Sequence, residues 1–317
     1  MVRNRHLLVT GALGHIGSAL IRDSDSLIDV EKITLVDDLS TQRFCSLFDL
    51  PNSIRYRFIE GDVGEILSPA LLKDVDTVIH LAGTVDPVLN FQSPAILMQN
   101  NVRITAHVAQ MCRVANVPLL FSSSTSVYTP IKFEVDETET EVYPQGAYAQ
   151  SKLEEENLIR TELNQGQYLI FRFGSIFGPS IGMRFQTAIN KFCLQAALGE
   201  PIEVWRTAMQ QCRPYLALSD CTTILGRATR FDSFPNTTVN AVTCNATVED
   251  ILDCIRICGI EPKVTQVDSL AMNSYSYRVS TEMALKFGFT FKGSLLSGIK
   301  ETLTLLSGIS QGVTRIK

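Results

Sequence analysis

Long apolar runs are missing from this sequence of 317 residues. A helix that crosses a bilayer needs about 20 predominantly apolar residues in a row, and no stretch approaches that length. The first apolar run, LLV at residues 7–9, is also much too short for the core of a secretory signal peptide. We therefore expect no membrane partner and a cytoplasmic location.

An excess of basic charge is also absent. The 28 Lys and Arg residues are outnumbered by 33 Asp and Glu residues, which gives a formal net charge of −5 at pH 7. Because a surface that binds nucleic acid is ordinarily basic, this balance disfavours a nucleic-acid partner. No block of like charge suggests a binding tail.

The eight cysteines form no C-x-x-C pair. Cys254 and Cys258 are four residues apart in a predicted helix, but the four histidines are distant from them in the sequence. A zinc site would need more ligands nearby. We therefore expect no metal site and interpret the cysteines as reduced thiols that pack as small apolar residues.

Short β-rich runs alternate with helical stretches over the first 180 residues. The predicted strands are 6–10, 32–36, 54–59, 77–81, 118–121 and 168–173, and the predicted helices are 15–22, 94–115 and 147–164. Such alternation is typical of βαβ units, which form a parallel sheet with helices on both faces. The sequence therefore predicts the α/β class.

The pattern becomes less regular after Gly178-Pro179. Three helices are predicted there, at 184–199, 248–258 and 280–287, among short strands and loops. We predict a first domain over residues 1–180 and a smaller C-terminal region over residues 181–317. This region is expected to close over the ligand edge of the sheet, and some of its segments are expected to return to the first domain.

A glycine loop joins the first predicted strand to the first predicted helix. Its spacing is G-x-x-G-x-x-G rather than the G-x-G-x-x-G of the common dinucleotide fingerprint. Glycines let the backbone turn tightly and approach a pyrophosphate, and the following helix presents N–H groups and a positive dipole end to the phosphates. A dinucleotide is therefore expected to contact Gly11, Gly14, His15, Ile16 and Gly17.

Two acidic residues, Asp37 and Asp38, follow the second predicted strand. Asp37 comes 20 residues after Gly17, and a carboxylate at that place accepts hydrogen bonds from ribose hydroxyls and repels a 2′-phosphate. The pair therefore predicts NAD rather than NADP. The alternative is a glycine-rich turn followed by two solvated aspartates, which the order of strand, loop, helix and acid disfavours.

Two later segments are predicted to line the same cofactor cleft. Asp62 and Val63 follow the third strand, where Asp62 is placed to accept a hydrogen bond from the adenine amino group. The backbone of the next segment is expected to line the cleft through Leu81, Ala82 and Gly83. His80 is interpreted as a packed histidine at a strand end.

Tyr148 and Lys152 stand four residues apart in a predicted helix, so they share one helix face. A tyrosine ordinarily ionises near pH 10 and alone is a poor base at neutral pH. A lysine ammonium beside it, together with the positive nicotinamide of NAD, stabilises the phenolate. With Ser124 from the fifth strand bonding the reacting oxygen, the three can deprotonate an alcohol while hydride leaves its carbon.

Together these motifs resemble the extended short-chain dehydrogenase/reductases, and within them the NAD-dependent sugar-nucleotide epimerase/dehydratase family, which includes the UDP-galactose 4-epimerases. The resemblance covers most of the chain and rests on the segments TGALGHIGS, LVDDLS, EGDV, VIHLAG, NNV, FSSSTSVY, YAQSK, FRFGSIFGP, RPYLALSD and YRVSTEMALKFGF. It implies a Rossmann-type doubly wound parallel sheet with a smaller C-terminal substrate-binding region. It also implies a homodimer that pairs through the helices at 94–115 and 147–164.

The resemblance assigns roles to individual residues. Ser124, Tyr148 and Lys152 match the catalytic residues, and Lys152 also matches the residue that holds the nicotinamide ribose. The further residues expected at the cofactor are Asn100, Ser122 and Phe173.

Substrate contacts are expected from the C-terminal region and from Ser124. Arg213 and Arg278 match residues that contact the nucleotide diphosphate, which suits the bidentate grip of a guanidinium on phosphate oxygens. Ser175 and Arg184 are the other expected contacts, although the family carries Asn at the place of Ser175. Further departures from the family pattern, which leave the sugar and the base open, are Thr84-Val85-Asp86, Thr129, Pro214 and Ala217.

The neighbours of Ser124 distinguish the reactions of the family. The 4,6-dehydratases carry Asp-Glu where this chain has Thr125-Ser126, and the decarboxylases carry Glu at the position of Ser126. Hydroxyl side chains cannot do that acid–base work. The resemblance therefore implies a nucleotide-sugar 4-epimerase that acts through a transient 4-keto sugar.

Other reactions and classes are kept as alternatives. A nucleotide-sugar C4 dehydrogenase or a 4-keto reductase would use the same Ser, Tyr and Lys. A 4,6-dehydratase is disfavoured because Thr125-Ser126 stand at the place of its Asp-Glu pair. An NAD-binding protein without catalysis is the alternative of a different class, because folds of this kind also serve as binding modules.

Overall fold

The computed structural model describes residues 4–85, 90, 92–128, 133–139, 142, 144–268 and 276–308. Among these residues, the strands are β1 Arg5–Thr10, β2 Val30–Asp37, β3 Arg55–Glu60, β4 Thr77–His80, β5 Leu119–Ser124, β6 Glu134–Val135, β7 Tyr168–Phe173, β8 Ser175–Phe177, β9 Ile202–Trp205, β10 Arg213–Ala217, β11 Thr237–Ala241, β12 Cys244–Ala246, β13 Val264–Val267 and β14 Arg278–Val279.

Helices connect most of these strands. They are α1 His15–Leu20, α2 Val63–Ile66, α3 Pro94–Ala115, α4 Ala147–Glu162, α5 Ala188–Ala197, α6 Leu218–Ala228, α7 Val248–Ile257, α8 Glu282–Lys286 and α9 Leu295–Leu305. Two short 3₁₀ helices lie at Phe44–Leu47 and Thr125–Val127.

A seven-stranded parallel sheet forms the centre of the molecule. Its strand order is β11-β7-β5-β4-β1-β2-β3, and every neighbouring pair runs parallel. Parallel strands that are covered on both faces have nearly continuous apolar sequences. In β1, Leu7, Leu8 and Val9 are all fully buried. The order reverses between β1 and β4, which creates the crevice where ligands of doubly wound sheets bind.

Helices cover both faces of this sheet. On one face, α3 and α4 pack Ile104, Val108 and Ile159 against the strands. On the other face, residues of α1 and α6 join a second apolar cluster that includes Leu20 and Leu225. The sheet is therefore doubly wound, and the predicted Rossmann-type α/β fold is confirmed.

The C-terminal region contributes smaller sheets beside the carboxyl edge of the large one. Strands β12, β10 and β8 form a three-stranded sheet, β13 pairs with β9, and β14 pairs with β6. Helices α5, α7 and α9 enclose an apolar core of their own around Phe177, Ile251 and Ile299. One strand of this half, β11, leaves the region and completes the seven-stranded sheet beside β7.

Within the described ranges, no helix is both long and apolar enough to cross a membrane. Likewise, no group of three or more His, Cys, Asp and Glu residues there is placed to hold a metal ion. All eight cysteines are free thiols. Of the family departures noted in the sequence, Asp86 and Thr129 lie outside the described residues.

Candidate active site

The glycine loop lies at the carboxyl end of β1, beside the segment that follows β4. Gly11 has a positive φ of 63°, and a Cβ atom built on it would lie only 2.7 Å from the Ala82 backbone nitrogen. A side chain at Gly11 would therefore strain the backbone and separate the two loops. The close approach of Gly11 to Leu81 and Ala82 brings together two of the segments that were predicted to line one cleft.

The other two glycines of the loop have different surroundings. A Cβ atom on Gly17 would lie 2.5 Å from the carbonyl oxygen of Ala12, so α1 can pack on the loop only without a side chain there. Gly14 is the N-cap of α1 and has no side-chain cap bond. A Cβ atom on Gly14 would have the Gly11 carbonyl oxygen at 3.2 Å and Arg43 Nη1 at 3.8 Å.

His15 fixes the start of α1 to the C-terminal region. Its ring is buried, and Nε2 lies 2.8 Å from the carbonyl oxygen of Gly178. Burial lowers the pKa of His15 to about 4, and the nearby positive charges of Arg184 and Arg43 act in the same direction. The ring is therefore neutral, and its Nε2–H donates to the carbonyl oxygen of Gly178. The neighbouring Ile16 packs against the apolar core.

Asp37, at the end of β2, is bonded to the loop that follows β1. Its Oδ2 atom accepts a hydrogen bond from the Leu13 N–H at 3.0 Å, and its Oδ1 atom accepts one from Leu39 at 3.1 Å. Burial raises the pKa of the Asp37 carboxyl, while these backbone bonds lower it. Asp38 is instead exposed, and it accepts hydrogen bonds from the backbone and hydroxyl of Ser40.

Arg43 is a candidate cofactor contact that the sequence reasoning missed. Its charge acts on Asp37 and on His15, and its Nη1 atom is close to Gly14. The guanidinium therefore lies beside the glycine loop and the end of β2. The available signal was its place six residues after Asp37, in the polar loop that leaves β2.

Asp62 has two partners within the protein. Its Oδ1 atom caps α2 by accepting the Gly64 N–H at 2.8 Å, and its Oδ2 atom lies 2.5 Å from Arg103 Nη2. The second contact holds α2 against α3. The predicted contact of Asp62 with an adenine stays a prediction, as does that of Val63, whose side chain is buried.

Ser124, Tyr148 and Lys152 come from the end of β5 and the first turns of α4. Ser124 is the last residue of β5, opposite Phe173 of β7, and its hydroxyl oxygen accepts the Ser126 N–H at 3.1 Å. Lys152 is buried, with Nζ 4.7 Å from the centre of the Phe121 ring and 5.9 Å from the centre of the Tyr148 ring. The helical spacing thus brings the lysine beside the tyrosine.

A buried carboxylate also contacts the lysine. Glu155 is fully buried, and its Oε2 atom lies 3.2 Å from Lys152 Nζ. The Thr105 hydroxyl of α3 donates to the same oxygen at 2.7 Å. Sequence reasoning missed Glu155 because it stands in a run of three glutamates, residues 154–156, which is typical of an exposed helix face.

Asparagines of α3 hold the segment after β4 next to the lysine. Asn101 is fully buried and bonds both the N–H and the carbonyl oxygen of Thr84, and Asn100 donates to the Thr84 hydroxyl at 3.0 Å. A Cβ atom on Gly83 would lie 3.9 Å from Lys152 Nζ. The loop after β4 and helix α4 therefore border the same space.

Ser122 bonds the neighbouring strand. Its hydroxyl donates to the carbonyl oxygen of His80 at 3.1 Å, which ties β5 to β4 near their carboxyl ends. The roles of Ser122, Asn100 and Phe173 at a cofactor stay predictions.

Two arginines that are far apart in the sequence flank one hydrogen-bonded pair in the C-terminal region. The Tyr277 N–H donates to the carbonyl oxygen of Cys212 at 3.0 Å. Arg213 follows Cys212 and places its guanidinium 5.6 Å from the centre of the Tyr277 ring, and Arg278 follows Tyr277 with an exposed side chain. The fold therefore brings Arg213 and Arg278 to one place.

The two other expected substrate contacts lie in separate segments. Ser175 is the exposed first residue of β8, paired with Tyr215 of β10. Arg184 precedes α5, and its charge acts on His15. Arg184 is thus near the glycine loop.

Comparison with known proteins places this geometry in context. A family model described as the NAD dependent epimerase/dehydratase family matches residues 7–241. A curated relative, UDP-glucuronic acid decarboxylase 1 of Xenopus tropicalis, is 25% identical over 224 residues, which are 68% of this chain and 51% of that protein. The chain thus spans about half the length of this relative.

Two solved structures share the fold. The UDP-glucuronic acid 4-epimerase from Bacillus cereus, in complex with UDP-glucuronic acid and NAD, matches with a TM-score of 0.84 and 20% identity, covering 96% of this chain and 99% of that one. TunA, an NAD-dependent NDP-hexosamine 5,6-dehydratase, matches with a TM-score of 0.80 and 21% identity, covering 97% and 99%. Because the three proteins are named for three different reactions, the fold alone does not select one.

Proposed function

We propose that this chain, which belongs to the NAD dependent epimerase/dehydratase family, is a nucleotide-sugar 4-epimerase. The observation that carries the proposal is the pair of hydroxyl residues beside Ser124. Thr125 is buried and its hydroxyl donates to the carbonyl oxygen of Phe173 at 3.2 Å, and the Ser126 hydroxyl oxygen is buried. Neither group can supply the carboxylic acid that water elimination or decarboxylation uses in this family.

The residues at the crevice fit NAD as the cofactor. The contact between Gly11 and Ala82 leaves no room for a side chain at the loop, as close approach to a pyrophosphate requires. Asp37 presents a carboxylate at the end of β2, where ribose hydroxyls are bound in such folds. Bound NAD supplies a reversible hydride acceptor for C4 of the sugar.

Three side chains then act on the C4 hydroxyl, and Tyr148 is the one that transfers the proton. The Tyr148 phenolate takes the proton of the C4 hydroxyl as the C4–H bond breaks, and the Lys152 ammonium stabilises that phenolate. The Ser124 hydroxyl bonds the same sugar oxygen. The transient 4-keto sugar is then reduced on its opposite face while Tyr148 returns the proton, so the sugar is inverted at C4 without net oxidation.

A 4-keto-sugar reductase that uses NADPH is the second candidate function. The observation that favours it is Arg43, whose charge lies near Asp37 and whose guanidinium is close to Gly14. An arginine at this place can accommodate a 2′-phosphate. Asp37 itself acts against that phosphate, and for this reason the epimerase is preferred.

The test is direct turnover. Purified protein with NAD is incubated with UDP-glucuronic acid first, because two of the similar proteins are named for that substrate, and then with other UDP-, GDP- and dTDP-sugars. The expected product is the C4 epimer, identified by NMR. A keto sugar with stoichiometric NADH would show a net dehydrogenase, and NADPH-dependent consumption of a 4-keto sugar would show a reductase.

We also propose a homodimer that pairs through α3 and α4. The two helices pack against each other on one face of the sheet, and α3 exposes the apolar side chains of Ile96 and Val114. A groove on these helices is lined by Arg103, His107 and Glu162, among others. Light scattering is expected to give twice the chain mass, and a mass of one chain at micromolar concentration would contradict the dimer.

A further inference from the structure

A row of hydrogen bonds runs through the interior behind the proposed catalytic lysine. The links are Thr10 Oγ1 to His80 Nδ1 at 2.6 Å, His80 Nε2 to Thr105 Oγ1 at 3.1 Å, Thr105 Oγ1 to Glu155 Oε2 at 2.7 Å and Lys152 Nζ to Glu155 Oε2 at 3.2 Å. Each of the five side chains is at most 4% exposed. We call this row the buried relay.

The hydrogen bonds from Thr10 through His80 and Thr105 to Glu155 all run in the same direction from donor to acceptor. The Thr105 hydroxyl donates to Glu155, so its oxygen accepts the proton on His80 Nε2, and Nδ1 then accepts from the Thr10 hydroxyl. The Ala82 N–H donates in turn to the Thr10 oxygen at 3.2 Å. Burial, and secondarily the charge of Lys152, lower the pKa of His80 to about 3, as a histidine with one ring proton requires.

Lys152 and Glu155 are the charged members of this environment. The groups that face them from β4 and α3 are neutral, namely His80, Thr105 and Asn101. The charged residues nearest along these elements have other partners: Arg103 of α3 pairs with Asp62, and Glu156 of α4 pairs with Arg172 and Arg160. The charge on Glu155 therefore acts on Lys152, whose ammonium lies beside the Tyr148 ring.

Burial of the Glu155 carboxylate costs free energy, which a purely structural role does not explain. Its Oε1 atom is buried, and no hydrogen-bond partner for it is found among the described residues. A buried ion pair is often no more stabilising than apolar residues of the same volume. The placement of Glu155 against Lys152 thus calls for a role other than packing.

We propose that Glu155 is a positioning residue, which holds the Lys152 ammonium in place beside Tyr148 and sets the pH range in which the tyrosine acts. The inference rests on the proposed function, since it assigns Tyr148 the role of base. The carboxylate attracts the Lys152 ammonium, which lies 3.2 Å from it and 5.9 Å from the centre of the Tyr148 ring. Through Thr105, His80 and Thr10, the position of Glu155 is fixed to the loop after β4, which borders the cofactor cleft.

The first test is the pH profile of kcat/KM for Glu155→Gln. A nearby negative charge favours the protonated forms of its neighbours, so its removal is expected to move both limbs of the profile to lower pH by about one unit or more. Glu155→Asp, which keeps the charge in the same buried space, is expected to return both limbs towards their wild-type positions. Limbs that stay in place in Glu155→Gln, with only a lower rate, would overturn the proposal.

Glu156→Gln is the matched control. Glu156 is the next residue of α4 and is equally buried, but its carboxylate bonds Arg172 and the Ser123 hydroxyl instead of Lys152. This variant is expected to lower the Tm and to leave both limbs of the profile unchanged. An equal shift in the two variants would show a general effect of buried charge and would overturn the specific role of Glu155.

A second measurement needs neither turnover nor substrate. Lys152→Met leaves Glu155 buried without its cationic partner, whereas Lys152→Met combined with Glu155→Gln removes both charges. The double variant is therefore expected to have a higher Tm than Lys152→Met. A Tm equal to or below that of the single variant would overturn the pairing. Because this result is independent of any reaction, failure of the epimerase assay and failure of the Glu155 role are distinguishable.

Discussion

Asp37 and Leu13 are joined by a 3.0 Å hydrogen bond that fixes the glycine loop to the end of β2. The same carboxylate is the proposed acceptor for the ribose hydroxyls of NAD. Asp37→Asn keeps the size of the side chain but removes the charge that repels a 2′-phosphate. Affinity for NAD is expected to fall by about 10-fold or more, as the loss of a charge-assisted bond implies, and the preference for NAD over NADP is expected to narrow.

Titration calorimetry with both dinucleotides checks this prediction. Glu60→Gln is the control, because Glu60 is an exposed carboxylate that pairs with Asp37 in the register of β2 and β3. It should leave both affinities unchanged. If Asp37→Asn kept the full wild-type preference for NAD over NADP, the carboxylate would not be the group that recognises the ribose.

Tyr148→Phe removes the proposed base and retains the ring that packs near Lys152. Turnover is expected to fall by about 10²–10⁴-fold, the usual contribution of a positioned general base, while bound NAD is retained. Product analysis and mass spectrometry of released cofactor check both parts. Tyr56→Phe on β3, which loses the hydroxyl bond to the carbonyl oxygen of Ile21 after α1, serves as the comparison and should keep its activity. If Tyr148→Phe turned over normally, the catalytic assignment would be wrong.

Gly17→Ala tests the packing of α1 on the glycine loop. The new methyl group would meet the carbonyl oxygens of Ala12 and Gly11 at 2.5 and 2.6 Å, both of which are backbone atoms. Such overpacking is expected to lower the free energy of unfolding by about 1–3 kcal/mol and to weaken NAD binding. Gly308→Ala, where a Cβ atom would meet nothing within 4 Å, should be neutral in urea unfolding. Equal stability of the two variants would contradict the packing argument.

Acid is expected to destabilise the fold partly through its buried neutral histidines. Burial lowers the pKa of His15 to about 4 from the 6.5 of an exposed histidine. Below pH 6.5 the unfolded chain binds a proton that the folded chain does not, so stability falls as the pH falls from 6.5 towards 4. The slope is at most about 1.4 kcal/mol per pH unit for one histidine.

His15→Gln is the variant that isolates this contribution, because the amide can still donate to the Gly178 carbonyl oxygen. The difference in unfolding free energy between wild type and variant, followed by urea titration from pH 7 to pH 4.5, is expected to shrink as the pH falls. A difference that does not change with pH would mean that His15 takes up its proton equally in both states.

A clear periodicity of apolar residues made parts of the fold predictable from the sequence. The predicted bounds of β7 and α3 agree with the structure, because β7 is apolar apart from Arg172 and α3 carries buried residues at helical spacing. The sequence analysis missed α6 and α9, which are rich in Ser, Thr and Gly and therefore have low helix propensity. The burial of apolar faces stabilises them instead, and that depends on the rest of the fold.

The candidate site likewise contains some residues that could be predicted from the sequence and others that could not. Residues within one motif, such as Gly11 with Gly17 or Tyr148 with Lys152, were predictable because their spacing alone sets their proximity. Glu155 was not, since its burial depends on Thr105 of another helix. Arg213 and Arg278 were found only through the family resemblance, and their proximity is a product of tertiary structure.

The place of β11 in the sheet has a consequence for synthesis on the ribosome. Strand β7 has β5 on one side and β11 on the other, and β11 is made only after residues 181–236 of the C-terminal region. Until residues 237–241 emerge, the nascent chain exposes the unpaired edge of β7, which can template aggregation. The chain is therefore expected to complete its folding late in translation, and a version cut after residue 180 is expected to aggregate rather than to form a free-standing domain.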